Sequence, residues 1–331
     1  MDRRSFITGL TRAGVAIGAL RPARAVAQAI AAPTGNPAVW ARRAEEMKAQ
    51  ALAALPFKRV QTTGRDALAT WARLRDAGRG WPVVVGGDDE LDRIAEQFGI
   101  AADQVAIHGI ATPDMTPAAI LARAAALRHP QSLTAVRATE ARRAEQFERD
   151  HQAQIDGLLT RMIQLDPDGK SRDLSPAEVR QRVADARNAP REPAIGDWPT
   201  GVAPEGPGLT LANDLRGKPP DKVHILLIPT TESAAVPAFL RWGGWNACPA
   251  PEYHVAALRS WHERYGAELV AIGGDVLNLR VTRRPQSRDE ALALAREMYL
   301  YDEDIVSQGT ETFAALGAML MASDWWFFWW D

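Results

Sequence analysis

The chain ends in "DWWFFWWD" (Asp324–Asp331), a stretch with four tryptophans and two phenylalanines. Strict alternation of apolar and polar residues would indicate a strand with one face in water. Here both faces are apolar, so the sequence predicts a strand that is covered on both sides and lies centrally in a sheet. The alternative interpretation is an aromatic patch that binds a partner.

The segments before this strand predict an α/β domain over residues 209–331. "KVHILLIP" (222–229) is typical of a buried strand, and "APEYHVAALRSWHERYGA" (250–267) is typical of a helix. "ELVAIGGDVLNLRV" (268–281) predicts two strands joined by a glycine turn, and two helices follow before the last strand. The resulting order β-α-β-β-α-α-β resembles the split βαβ arrangement of ferredoxin-like sandwiches.

The N-terminal part adds a second α/β region. Residues 57–99 read as β-α-β-α, which supports an α/β fold class for the chain. A long charged helix is predicted to end near Leu165, with much of its surface in water. Residues 166–208 are rich in proline and glycine and are interpreted as a linker. The predicted division is therefore an N-terminal α/β and helical region at 30–165, the linker, and a C-terminal domain at 209–331.

Residues 1–29 have the composition of an export signal. Arg3 and Arg4 precede a short, weakly apolar run, and Ala-x-Ala sites follow it. The paired arginines resemble a twin-arginine signal, which predicts a periplasmic or extracellular protein. Cys248 is the only cysteine of the chain, so an intramolecular disulfide is excluded.

Composition argues against some partner classes. The chain has 39 basic and 41 acidic residues, and residues 1–29 hold five arginines and one aspartate. Without that segment the formal net charge is about −6, which is unfavourable for binding nucleic acid. The apolar run of the signal is shorter than the roughly 20 residues of a membrane-spanning helix. We therefore expect no stable membrane span after the signal is removed.

The segment Trp242-Gly243-Gly244-Trp245-Asn246, together with His254, is the main candidate for ligand binding. Two glycines let a ligand approach the backbone closely, the indoles could wall a pocket, and Asn246 offers both donors and acceptors. A tight turn held by two core tryptophans is the alternative.

Candidate catalytic residues lie close by in sequence. Cys248 could act as a nucleophile with His254 as base, and Glu252 is a candidate carboxylate. Against this, Cys248 could simply be buried. His254 shares a helix stripe with Leu258 and Trp261, which is typical of a core histidine.

No metal site or cofactor is predicted. His254 and His262 are eight positions apart, a rise of about 12 Å on a helix, so one ion cannot bind both. The glycine-rich phosphate-binding motifs are absent from the sequence. The acidic run Asp302–Asp304 is interpreted as a solvated helix end.

Three segments resemble a known bacterial family. "VPAFLRWGGWNACPAPEYHVAALRSWHERYGAELV" (236–270), "LAREMYLYDEDIVSQGT" (294–310) and the terminal "DWWFFWWD" are similar to the domain-of-unknown-function family DUF4253. The resemblance runs from about residue 222 to the end, and "ALATWARLRDAGRGWPVVVGG" (67–87) resembles a segment often found upstream of that domain. The family has no established activity to carry over. Its members commonly have a cysteine at the position that Asp302 occupies here.

Together these observations predict an exported, non-catalytic binding module for an unknown small molecule or protein partner. The alternative is a hydrolase or transferase that uses His254 with Cys248 or a carboxylate.

Overall fold

The computed structural model describes residues 37–103, 113–165, 171–188, 192–201, 206, 208–214 and 216–330. The predicted export signal at 1–29 lies outside the described residues. The helices and strands in chain order are α1 Pro37–Ala54, β1 Lys58–Thr62, α2 Ala67–Asp76, β2 Trp81–Gly86, α3 Asp88–Asp103, α4 Pro117–Ala125, α5 Gln131–Asp150, α6 Gln152–Gln164, α7 Pro176–Asn188, β3 Val223–Ile228, α8 Val236–Leu240, α9 Pro251–Tyr265, β4 Glu268–Ile272, β5 Val276–Arg280, α10 Arg288–Tyr301, α11 Phe313–Ala322 and β6 Trp325–Trp329.

The strands form one six-stranded mixed sheet in the order β1-β3-β2-β4-β5-β6. Strands β2 and β4 pair in parallel, and every other neighbouring pair is antiparallel. The predicted α/β class is confirmed. The sheet combines strands from residues 58–86 with strands from residues 223–329, so both parts of the chain contribute to one core.

The predicted split βαβ arrangement is wrong. Strand β2 lies between β3 and β4, and its pairing with β4 aligns Val84 with Ala271. The chain therefore inserts an N-terminal strand where the ferredoxin-like order would pair only C-terminal strands.

The predicted central position of the aromatic strand is also wrong, because β6 lies at the edge of the sheet and pairs only with β5. Two backbone N–H groups on its free edge are nevertheless satisfied by side chains. The backbone N–H of Trp329 donates to Asp302 Oδ2 at 3.0 Å, and that of Trp325 donates to Ser323 Oγ at 3.0 Å. Side chains that bond the free edge of a strand reduce its tendency to pair with another chain.

Most aromatic residues of this terminal stretch are buried in the core, as their apolar character requires. Phe328 stacks on Trp261 with ring centroids 5.3 Å apart, and it meets the edge of Tyr301 at 5.1 Å. Trp330 packs against Tyr301 at 5.4 Å. Each such aromatic pair contributes about 0.5–1.5 kcal/mol beyond the area that it buries.

Local signals in the sequence explain several helix boundaries. Helix α10 begins after Ser287, whose hydroxyl accepts the backbone N–H of Glu290 at 3.2 Å. The long charged helix predicted before Leu165 is two helices, α5 and α6, because the helix is interrupted at His151.

Most side chains of α5 are exposed. No described helix is both long and apolar enough to cross a membrane.

Candidate functional site

The loop at residues 241–250 joins α8 to α9 and has an unusual backbone. Arg241, Gly243, Gly244 and Asn246 all have positive φ angles, of 54°, 113°, 91° and 45°. The loop is closed by the N–H of Gly244, which donates to the carbonyl of Pro249 at 2.8 Å. Glycine adopts this conformation without strain, whereas arginine and asparagine do so at a cost.

Gly243 also lies where no side chain fits. A Cβ atom at this position would lie 2.3 Å from the carbonyl oxygen of Pro249 and 2.6 Å from His254 Nε2. The glycine backbone therefore rests directly on the imidazole of His254 and covers it.

The two indoles of this loop do not wall an open pocket. Trp242 is 1% exposed, and its Nε1–H donates to the carbonyl of Gly273 at 2.8 Å. Trp245 is half-buried and meets the face of Trp242 edge-on at 4.9 Å. Gly244 and Asn246 are exposed, so the tip of the loop faces solvent and the two tryptophans lie beneath it.

Below this loop, three reactive side chains are in contact. Cys248 Sγ lies 3.3 Å from His254 Nε2, and His254 Nδ1 lies 2.5 Å from the hydroxyl of Tyr301. Helix α9 supplies the histidine and the end of α10 supplies the tyrosine. The sequence predicted the cysteine and the histidine as partners; it did not identify Tyr301, which is 47 positions from His254.

Burial keeps all three side chains neutral. It raises the pKa of the Cys248 thiol well above its usual value, and the nearby Asp302 carboxyl adds to this effect. Burial lowers the pKa of His254 to about 3. It also raises the pKa of Tyr301. A neutral thiol beside a neutral imidazole is a poor nucleophile, because the thiolate is the reactive form.

Asp302 is fully buried, so the prediction of a solvated acidic helix end is wrong for this residue. Its Oδ1 accepts the N–H of Asp304 at 3.0 Å, and its Oδ2 accepts the N–H of Trp329 at 3.0 Å. Burial and the neighbouring Asp304 raise the pKa of Asp302, although these two N–H groups oppose the rise. The residue joins the end of α10 to the edge strand.

Arg137 connects helix α5 to the same region. Its guanidinium donates to the carbonyls of Ala247 at 2.7 Å and Leu300 at 3.3 Å. The charge of Arg137 favours the thiolate of Cys248 and disfavours a protonated His254. Sequence reasoning missed this residue because it lies in a charge-rich helix; its spacing of four from the buried Leu133 is the signal that could have placed it on the inner face.

The third catalytic candidate is engaged elsewhere. Glu252 Oε1 accepts a hydrogen bond from Arg123 Nε at 3.1 Å, which links α9 to α4. The structure thus brings Cys248 and His254 together and directs Glu252 to a different partner. Within the described residues, no group of three His, Cys, Asp or Glu side chains is placed to hold a metal ion.

Comparison with known proteins identifies a family match only for the C-terminal part of the chain. No curated protein and no solved structure matches the chain significantly. Residues 224–331 match the family model described as "Domain of unknown function (DUF4253)", which supports the predicted family for this part of the chain.

Proposed function

We propose that the protein is a non-catalytic binding module and that the exposed tip of the loop, residues 244–246, contacts its ligand or partner. One observation carries the proposal: the loop covers a closed, neutral Cys248–His254–Tyr301 cluster and holds a solvent-facing turn above it. A rigid base beneath an exposed turn is a common arrangement for binding residues. The half-buried indole of Trp245 would supply an amphipathic contact beside that turn.

The binding test is native mass spectrometry of the protein recovered from its own cells. We expect a bound small molecule or a co-purifying protein in the parent and its loss in Trp245→Ala. Trp325→Ala is the matched control, since it removes a half-buried tryptophan from the edge strand. Equal retention of the bound species in both variants, or an empty parent chain, would count against the loop tip as the binding surface.

A second candidate function is a hydrolase or transferase, because the contact between Cys248 Sγ and His254 Nε2 at 3.3 Å is the pairing that a thiol nucleophile needs. This function requires the loop to open. It also requires the pKa of the thiol to fall and that of the imidazole to rise, the reverse of the shifts in the closed arrangement.

The proposed location is the periplasm or the extracellular space, reached by the twin-arginine route. The supporting observation is the arginine pair ahead of an apolar run in residues 1–29. Replacing the pair, Arg3→Lys with Arg4→Lys, should leave the protein in the cytoplasmic fraction. Undiminished export of that variant would remove the support.

A further inference from the structure

A separate cavity of about 510 Å³ lies where β5 ends and β6 begins, next to the end of α9 and the start of α10. Its volume is within the range of about 300–1,000 Å³ that is typical of sites for small molecules. Its lining includes three arginines and two carboxylates. None of the residues in the loop at 241–250 lines it.

Arg284 is fixed at one end and free at the other. Its Nε donates to Asp324 Oδ1 at 2.7 Å. Within the part of the chain that the structure describes, its Nη1 and Nη2 make no hydrogen bond. The side chain is 42% exposed and lines the cavity.

Arg283 is held in a similar way by a helix end. Its Nε donates to the carbonyl of Arg264 at 3.0 Å, and its Nη2 donates to the carbonyl of Glu263 at 2.8 Å. Its Nη1 has no hydrogen-bond partner among the described residues. The guanidinium groups of two consecutive residues that line the cavity are therefore already oriented, so these arginines would lose little side-chain freedom on binding a ligand.

Each carboxylate of the cavity has one oxygen engaged by a neighbouring group. Asp324 pairs with Arg284, and hydrogen bonding to that guanidinium lowers the pKa of Asp324. Glu290 Oε2 accepts the backbone N–H of Gln286 at 2.7 Å. The unused groups of the two guanidiniums are N–H donors, and N–H donors on a cation are suited to binding an anion.

We propose that this cavity binds a small organic anion, whose carboxylate or phosphate group is held by the free N–H groups of Arg283 and Arg284. The planar fork of an arginine matches both anions, because each offers two oxygens at the required spacing. The remaining volume accommodates the body of the ligand.

The test is isothermal titration of the full chain with two probes, succinate and inorganic phosphate. We expect at least one probe to bind with a Kd in the millimolar range or tighter, and binding by only one of them identifies the anionic group. Arg284→Gln should weaken that binding about tenfold or more, since a hydrogen bond to a charged group is lost. Arg284→Lys keeps the charge and should also weaken it, because the fork is removed.

Arg288→Gln is the matched control. This arginine is exposed, follows the cavity in sequence and lies over the ring of Trp198, but it does not line the cavity. Its substitution should leave the Kd unchanged. Absence of binding by both probes, or an equal loss in Arg284→Gln and Arg288→Gln, would overturn the proposal, the second because it would indicate a diffuse effect of charge.

Discussion

Glu297 is a buried carboxylate whose substitution should have a large, measurable effect on acid stability. Its Oε1 accepts a hydrogen bond from Trp261 Nε1 at 2.6 Å and lies 3.0 Å from His129 Nε2. The guanidinium of Arg264 bonds both carboxylate oxygens, one of them at 2.9 Å. The side chain is only 10% exposed, so this carboxylate joins three parts of the chain inside the protein.

The pKa of this carboxylate determines how much Glu297 contributes to the free energy of unfolding. Burial alone would raise it, but the neighbouring His129 and Arg264 outweigh that effect and lower it from 4.5 to about 2. A difference of about 2.5 pKa units corresponds to about 3 kcal/mol of stability. Because the folded-state pKa is the lower one, this stability is present above about pH 4.5 and is lost as the pH falls towards 2.

We therefore expect Glu297→Gln to reduce the free energy of unfolding by about 3 kcal/mol at pH 7. The difference between parent and variant should become small near pH 2, where the parent carboxylate is about half protonated, and shrink towards zero below that pH. Urea unfolding at a series of pH values measures this difference directly. Other carboxylates titrate in both proteins and cancel.

Asp76→Asn is the control for this experiment. Asp76 is also paired with an arginine, Arg75, but its side chain is 69% exposed. Its loss should change stability by less than about 1 kcal/mol. If Glu297→Gln lowers stability no more than this control, or if the difference does not change with pH, then the charge network around Glu297 does not stabilise the fold as described.

Three further predictions concern the loop and the cluster beneath it. Gly243→Ala should destabilise the protein by about 2 kcal/mol or more in thermal unfolding, since its Cβ would lie 2.6 Å from His254 Nε2. The control is Gly78→Ala, which is also at positive φ but has open space around it and should lose only about 1 kcal/mol of stability. Equal losses in the two variants would mean that the contact with His254 does not affect stability. Asp302→Asn should reduce the free energy of urea unfolding by about 1–3 kcal/mol, because an amide NH₂ would then face the backbone N–H of Trp329 or Asp304, and an unchanged value would contradict the bonding pattern. The NMR signals of the His254 ring should stay those of a neutral imidazole down to about pH 4, because its pKa is lowered to about 3. The same pKa shift means that the free energy of unfolding falls as the pH drops from 6.5 towards 3. A ring that titrates near pH 6.5 would show that His254 is accessible to water.

The fold was predictable where local pattern determines structure. Ser287 specifies the start of α10 through a contact within a few residues. The glycines between β4 and β5 specify the hairpin in the same local way. The lateral position of a strand is different in kind. The residues of "DWWFFWW" require cover on the faces of the sheet, and they receive it, but face hydrophobicity carries no information about which strand lies beside them. At the edge, β6 instead receives a hydrogen-bond acceptor from the buried Asp302 of another element.

The site was predictable only in part for a similar reason. Cys248 and His254 are six positions apart and were candidate partners, yet their contact depends on the left-handed loop that folds the chain back. Tyr301 and Arg137 arrive from distant helices, and no spacing rule links them to the cysteine. The burial of Asp302 likewise follows from packing between α10 and β6.

The rate at which iodoacetamide alkylates Cys248, followed by mass spectrometry of the intact full chain between pH 6 and 9, tests the central claim most directly. The claim is that the thiol belongs to a closed cluster of uncharged side chains that supports a binding loop. It predicts that the folded protein reacts about 100-fold more slowly, or slower still, than the same protein in denaturant, because reaction must await opening of the loop. It further predicts that the rate rises with pH and has no plateau near neutrality. Rapid alkylation of the folded protein at pH 6–7 would reveal a thiolate stabilised by His254, and it would contradict the non-catalytic account.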